Sequence, residues 1–523
     1  MTGRAGRHAA RSKIPFPILL LALVLVAGGV TLWQVFRSDD RDRAGALGST
    51  SSEPTSTAPP TSPSEGASAS ASPSDAVATP GPINTSFRGI TTFRGNATRT
   101  YYGEGPVPMD PVIRWHAPES GGMCSTSADQ FGSRVWCGTG WTGQPNVIVH
   151  EDGMIEIREG AYDGHYHFLN GRTGRAIRPE LVTGDLAKGS ATSDPEGYPL
   201  YYAGSRDNLF RIIALDRPSP TVLWSIDSQT TVSRLLWNSD WDGAALVIGD
   251  YLLEGGENSW LYVVRLNRSY DDEGKVQVDP KIVATIPGFD DQLLSDLGDQ
   301  EVSIENSVSF RDGVVYFANS GGLVQGWDIS DLLDGGTEYH RVFRFWTGDD
   351  TDGSIVIDDE GALYVASEYQ RFNARGQQLG QLMKLNPAHP NDPVVWSIQA
   401  TEIGFEGAGG SWSTPALYGD YVYFTTAAGR VLEVNRQTGM IIWELDIGSP
   451  AIASPVVVDG VLIQGDCTGA LYAWDVSDPT KRPPRLWTLQ FPGCVESTPA
   501  VWHGWLYVGI RAGQLYGLAD PPA

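Results

Sequence analysis

Cysteine is scarce, four in 523 residues, and no two of the four form a C-x-x-C pair. That excludes a densely disulfide-stapled scaffold and gives no zinc-knuckle spacing. Lysine is scarcer than arginine, six of 37 basic residues, and the basic residues are outnumbered by 62 acidic ones. Residues 1–43 hold seven Arg or Lys against three Asp, so the formal charge of −25 leaves −29 on the remainder. A body of that charge lacks the basic footprint that phosphate binding requires, which excludes nucleic acid as a partner. The excess acid keeps an exposed domain soluble, and it also suits a surface that meets cations or a basic partner. There is no G-x-S-x-G elbow for serine hydrolysis and no P-loop. A long uncharged apolar run occurs once, at residues 14–36.

At ~1.5 Å per residue that run of 23 residues makes a helix of ~35 Å, enough to cross a hydrocarbon core of ~30 Å. Pro15 and Pro17 fall in its first turn, where a missing N–H costs least, and Trp33 suits the far interface. The competing reading is a cleaved signal peptide, but the tidy small-x-small site, Ala44-Gly45-Ala46, lies beyond the charged stretch RSDDRDR. Expected domains are a cytoplasmic basic tail (1–13), a transmembrane helix (14–36), a disordered Ser/Thr/Pro/Ala-rich linker (37–83) and a globular head (84–523). The linker has no apolar periodicity to offset chain entropy, and its ends sit roughly 35 Å apart as a flexible coil. The protein is read as single-pass in the cell membrane, N-terminus cytoplasmic and head outside.

The head is a string of short strands with turn signals between them. Residues 411–448 show the unit plainly: TPALY, a Gly-Asp turn, YVYFTT, a Gly turn, RVLEVN, a Thr-Gly turn and MIIWELD. Alternation and β-branched or aromatic clusters mark the strands, and Gly/Asp pairs mark the hairpins. Eight A–B turns are counted, at Gly132-Ser133, Glu196-Gly197, Asp242-Gly243, Asp312-Gly313, Glu360-Gly361, Gly419-Asp420, Asp459-Gly460 and His503-Gly504. Eight C strands match them, from HYHFLN to QLYGLAD, and strand D often carries a Trp (224, 346, 396, 443, 487). The last unit stops at strand C, while PVIRWHAPE (111–119) is an unclaimed D strand near the start. The predicted fold is therefore all-β, an eight-bladed propeller of four-stranded blades, with seven blades as the alternative. Exchange of a strand between the termini would close it and remove both free edges.

Asn435-x-x-Thr438-Gly439-x-x-x-Trp443 and Ala473-Trp474-Asp475 resemble the repeat of PQQ-like propellers. Ser413-Thr414-Pro415-Ala416, Ser454-Pro455 and Ser497-Thr498-Pro499-Ala500 resemble its strand-A openings, and TTFRGNATRTYYGEGP (91–106) is similar to its lead-in. The resemblance implies either of two functions. Quinone-dependent dehydrogenases of this kind use an adjacent Cys–Cys pair and a calcium held by Glu, Asn and Asp, whereas other members are scaffolds without cofactor. The four cysteines here are nowhere adjacent. The expectation is thus a non-catalytic member, with no catalytic, cofactor or metal residues and neither PQQ nor calcium. It would bind, scaffold or sense a protein or envelope component. The alternative is a dehydrogenase with an atypical site, and a carbohydrate module is a third reading from the 17 Trp.

On the propeller register Cys124, Cys137, Cys467 and Cys494 share the rim of D–A and B–C loops. Two disulfides are expected outside the cytoplasm, with 124–137 and 467–494 favoured among three connectivities. The stretch 348–361, GDDTDGSIVIDDEG, fails the EF-hand pattern at its first position and reads as a D–A turn. The acidic loop 289–306, with Asp290 and Asp291, is a candidate partner face, and Trp412 and Glu496 are candidate ligand contacts near the channel mouth. His165 and His167 face one side of a strand, but no third metal ligand is visible in the sequence.

Overall fold

The computed structural model describes residues 88–129, 132–141 and 143–522, which lie in one compact unit, Ser72–Ala523. The expected tail, membrane helix and linker (1–83) lie outside the described residues. Among the described residues no helix is long and apolar enough to cross a membrane.

Eight antiparallel sheets of four blade strands form the ring. Blade one runs from Asn146–Val149 (strand A) to Leu181–Val182 (strand D), and blade six from Ala416–Tyr418 to Ile441–Asp446. Blade eight takes its A, B and C strands from Ala500–Trp502, Trp505–Ile510 and Gln514–Ala519, and its D strand from Val112–Ala117. The exchange of strands between the termini is as expected, and so are all eight C strands.

Two of the eight predicted turns are misplaced. Gly132-Ser133 does not open blade one: it belongs to a separate two-stranded hairpin, Cys124–Asp129 with Gly132–Cys137, so Cys124 and Cys137 are not blade-one residues. Blade one instead turns between strands A and B at residues 150–154. Asp242-Gly243 does not lie between strands either. AALVIG contains strand A of blade three (Leu246–Ile248), and the turn falls at Gly249-Asp250 before Tyr251–Gly256. Inner strands are covered on both faces, so both read as continuous apolar runs and periodicity cannot tell A from B.

The N-x-x-T-G signature has a mechanical reason. Asn435 Oδ1 accepts from the backbone N–H of Gln437 and Thr438 and from the Thr438 hydroxyl, and Asn170 does the same in blade one. The glycine that follows, Gly439 or Gly174, has φ near +70°. A Cβ there would also lie within 2.6 Å of the strand-D tryptophan of the preceding blade, Trp396 or Trp115. Those indoles dock by donating to backbone oxygens of the same turns, Arg436 and Gly171. Ser and Thr two residues before strand A tie the blades together nearer the axis. The N–H of Ser307 donates to Ser354 Oγ, that of Ser354 to Thr414 Oγ1, and that of Thr414 to Ser454 Oγ.

The axis is filled by the lead-in, which touches every blade. Arg88–Ile90 pairs with strand A of blade one, and Ser193 N–H of blade two donates to Thr91 O. Thr92 donates to Ala245 O of blade three, and Ala97 and Thr98 carbonyls accept from Phe310 and Ile357 of blades four and five. Leu417 of blade six donates to the Tyr102 hydroxyl, Arg94 reaches Pro455 O of blade seven, and Gly103–Glu104 pairs with blade eight.

Candidate ligand-binding site

With the axis filled, the open space lies above it, on the rim of D–A loops and B–C turns. The residue four places before strand A in blades two to eight is Lys188, Asp242, Glu305, Asp352, Trp412, Ile452 and Glu496 in turn. Six of these, all but Ile452, line the mouth of the ring in two adjoining cavities or the narrow space beneath them. One cavity, lined by Trp136, Trp141, Trp412 and Glu496 among others, is about 370 Å³, and its neighbour of about 400 Å³ shares Trp237, Glu305, Asp350 and Gln370. Trp136, Trp141 and Trp412 supply aromatic wall. Trp412 packs edge-on against Phe405 with centroids 4.8 Å apart, and among the described residues no acceptor reaches its buried Nε1–H.

Charge on this mouth divides into two halves. Over blades two and three, Lys188 Nζ lies 2.6 Å from Asp242, 2.9 Å from Glu257 and 3.2 Å from Asp240. Despite burial, those three carboxylates hold the lysine well above its usual range. At blade eight, Arg511 pairs with Glu496 at 2.8 Å. Over blades four and five, ligand oxygens of Asp350, Asp352 and Glu368 lie within 4.8 Å of one another, beside Glu305. Glu368 is 1% exposed, and among the described residues no N–H or hydroxyl donor reaches either of its oxygens. Burial, then mutual repulsion, pushes Asp350 up to about 8 and drives Glu305, Asp352 and Glu368 upward as well.

The residues singled out from the sequence fall in different places. Trp412 and Glu496 are on the cavity wall, both buried. Asp290 is not in the cavity. It caps the helix Asp291–Leu297 by accepting from Leu293 N–H, and pairs with Arg341 and Arg344, which hold it below the usual carboxylate range. Asp291 is exposed in the first turn of that helix. Cys124 is joined to Cys137 and Cys467 to Cys494. The stretch 348–361 begins with the D–A turn expected but runs on through strand A (Val356–Ile357) into the A–B turn, and it delivers Asp350 and Asp352 to Glu368, a cluster that sequence reading missed. One member of it has a positional signal: once strand A is aligned on its Ser/Thr opening, the residue two places earlier, Asp352 here, faces the mouth, whereas Asp350 and Glu368 carry no such mark.

The architecture defines an eight-bladed propeller closed by strand exchange. Residues 307–520, blades four to eight, match the PQQ-repeat family model described as outer membrane protein assembly factor BamB, which bears out the repeat resemblance. The quinoprotein alcohol dehydrogenase PedH of Pseudomonas putida is 25% identical over 115 residues, 21% of this chain and 18% of that protein. The chain thus spans under a fifth of that curated relative's length. Among solved structures, a europium-containing methanol dehydrogenase superposes with TM-score 0.55 at 12% identity, covering 83% of this chain and 98% of that one. The quinohemoprotein alcohol dehydrogenase of Comamonas testosteroni gives TM-score 0.54 at 13% identity, covering 83% and 82%. At such identities the likeness is one of fold.

Proposed function

We propose that this propeller is a membrane-anchored extracytoplasmic binding module whose rim receives a positively charged group of a protein partner, rather than a dehydrogenase. The observation that carries the reading is Glu368, buried and, among the described residues, without an N–H or hydroxyl donor to either oxygen, beside Asp350 and Asp352. Buried carboxylates without counter-charge are costly, and an incoming cation relieves both desolvation and repulsion. Trp136 and Trp141 already face the protein's own Arg134, Arg511 and Lys188, and the indole of Trp412 on the same wall suits a basic side chain better than a bare ion, because an indole attracts a desolvated ammonium or guanidinium.

A quinone bearing several carboxylates suits this mouth poorly. Of the four cations lining the cavity with Trp412, Lys188, Arg206 and Arg511 pair with the protein's own carboxylates and Arg134 lies over the Trp136 ring, while the wall over blades four and five carries Glu305, Asp350, Asp352 and Glu368. The cysteines pair across 13 and 27 positions of sequence rather than as neighbours.

Tryptophan emission of the full chain, titrated with a short arginine-rich peptide and its glutamate counterpart, tests the reading. A saturable change with the basic peptide alone is expected. It should be weakened at least tenfold by Asp350→Asn with Glu368→Gln, and by added salt. Stoichiometric uptake of pyrroloquinoline quinone, or indifference to the double substitution, would overturn it.

A further inference from the structure

A second polar cluster lies away from the central mouth, at the rim end of blade one, and the binding reading above does not use it. Strand B (Ile155–Ala161) turns at residues 162–164 into strand C (His165–Asn170), and Glu180 immediately precedes strand D (Leu181–Val182). Because side chains alternate along a strand, His165 and His167 project to the same face. Asp163 reaches that face from the turn and Glu180 from the residue before the neighbouring strand. His167 Nε2 lies 3.1 Å from Asp163 Oδ2, and His165 Nδ1 lies 3.7 Å from the same oxygen. Glu180 Oε2 lies 3.1 Å from His165 Nδ1, and Glu180 Oε1 lies 3.0 Å from His167 Nδ1. The ligand atoms of Asp163, His165 and His167 all fall within 4.8 Å of one another.

We propose that Asp163, His165 and His167, with Glu180, form a binding site for a divalent transition cation of the zinc class.

The separations carry this. Three protein ligands about 2.05 Å from a tetrahedral metal stand about 3.3 Å apart, and Asp163 Oδ2 lies 3.1 Å from His167 Nε2 and 3.7 Å from His165 Nδ1, with Glu180 outside this set and the fourth position open. Such atoms need only small rotations to converge on one ion. His167 faces carboxylate oxygens with both ring nitrogens and its side chain is 8% exposed, so each nitrogen must carry a proton or a metal. A metal on Nε2 leaves Nδ1–H to donate to Glu180 Oε1, the arrangement by which a carboxylate fixes the tautomer and ring plane of a metal-bound histidine. Two imidazoles with carboxylates select zinc, nickel or copper over calcium and magnesium, which take oxygen. His165 is 31% and Glu180 43% exposed, so the ion has a way in from solvent.

The site would also stiffen the neighbouring wall of the mouth. Tyr162, next to Asp163, donates its N–H to Gly138 O and accepts the Ser125 hydroxyl on its carbonyl, which ties the turn to the hairpin Cys124–Cys137. Its ring packs edge-on against Trp136, a cavity-wall residue.

Cobalt(II) is the probe. The purified full chain, stripped with a chelator, is titrated with Co²⁺ while visible absorption is followed, and then back-titrated with Zn²⁺. One equivalent of Co²⁺ should raise the strong ligand-field bands of a four-coordinate ion with nitrogen ligands, and Zn²⁺ should bleach them. His165→Ala, at a part-exposed position, should abolish the bands, and Glu180→Gln should weaken binding about 10–100-fold. Asp350→Asn with Glu368→Gln should leave the bands intact, which separates this site from the central carboxylates. Absence of bands in the unaltered chain, or bands that survive His165→Ala in a protein of unchanged circular dichroism, would overturn the proposal.

Discussion

Replacing Arg94 by methionine should loosen the whole ring, because this side chain joins two blades to the axis. Arg94 is fully buried, and its Nη1 and Nη2 donate to the carbonyls of Pro415, Thr414 and Pro455 at 2.9, 2.9 and 2.7 Å. Burial lowers its pKa to about 10, so it remains a cation at neutral pH. Methionine keeps most of the volume and removes every donor, leaving three buried carbonyls without their charged partner. Hydrogen bonds to a charged group contribute about 1.5–3 kcal/mol each, so a loss of about 5 kcal/mol is expected. Unfolding entropy of about 2.1 cal/mol/K per residue, over roughly 430 residues, is about 0.9 kcal/mol/K, and the loss becomes a fall of roughly 5–6 °C in Tm. Differential scanning calorimetry at one fixed scan rate is the assay, since large domains often unfold irreversibly. Arg94→Lys should fall between the two, because an ammonium cannot span three carbonyls in a fixed fork. A shift below about 1 °C for the methionine variant would refute the reasoning and make the lead-in a passenger in the ring.

The same Ser/Thr belt predicts a contrast within one loop: Ser354→Ala should destabilise by about 1–2 kcal/mol, because Ser307 N–H loses its buried acceptor, whereas Asp352→Asn should leave Tm unchanged or higher; thermal melts decide. Without reductant the denatured chain should show no reactive thiol, and reduction should cost about 3 kcal/mol for each of the two loops, read from urea midpoints. For pH, the raised carboxylates over blades four and five bind more protons folded than unfolded, so their contribution is complete below about pH 4. It is lost as pH rises toward 8, the value reached by Asp350, at about 1.4 kcal/mol per pH unit for each proton. Glu156 works oppositely: Arg158 and His150 outweigh its burial and hold it at about 2, so its contribution is present above about pH 4 and fades toward pH 2. Tm should therefore peak in mildly acidic buffer, and a peak above pH 8 would contradict the buried cluster.

Much of the ring was legible because its repeat is enforced by geometry between blades. Gly439 and Gly174 must be glycine to admit the preceding tryptophan, and Ser354, Thr414 and Ser454 must offer an oxygen to the next N–H, so the motif repeats wherever a blade repeats. Blades one and three were misread for a local reason. Cys124–Asp129 and Gly132–Cys137 form a hairpin with turn chemistry like any blade's, yet Val135 is 67% exposed on it, which no strand-B core position would be. The carboxylate cluster was invisible for another reason. Asp350 and Asp352 come from one blade junction and Glu368 from the short strand Glu368–Tyr369 just past strand B of blade five, and nothing in their spacing announces that the ring brings them together. Glu180 is a similar case, being 13 residues from His167 but in contact with it across a strand pair.

The two positions in each D–A loop answer to different demands, and this explains where function can reside on such a ring. The Ser or Thr two places before strand A accepts from the preceding blade's backbone at five junctions, counting Gln144 to Ser190 and Ala244 to Ser307, so its chemistry is fixed by closure. The residue four places before strand A faces the mouth and has no such duty, and there the sequence runs through Lys188, Asp242, Glu305, Asp352, Trp412, Ile452 and Glu496. A perfect repeat would put one residue type at all seven places. The ring instead concentrates carboxylates over blades three to five, places its one lysine at their edge and sets an indole opposite, although burying unpaired acids there costs stability. Variation confined to the position that closure leaves free, and destabilising where it occurs, is the pattern expected of a surface shaped for a ligand rather than for the fold.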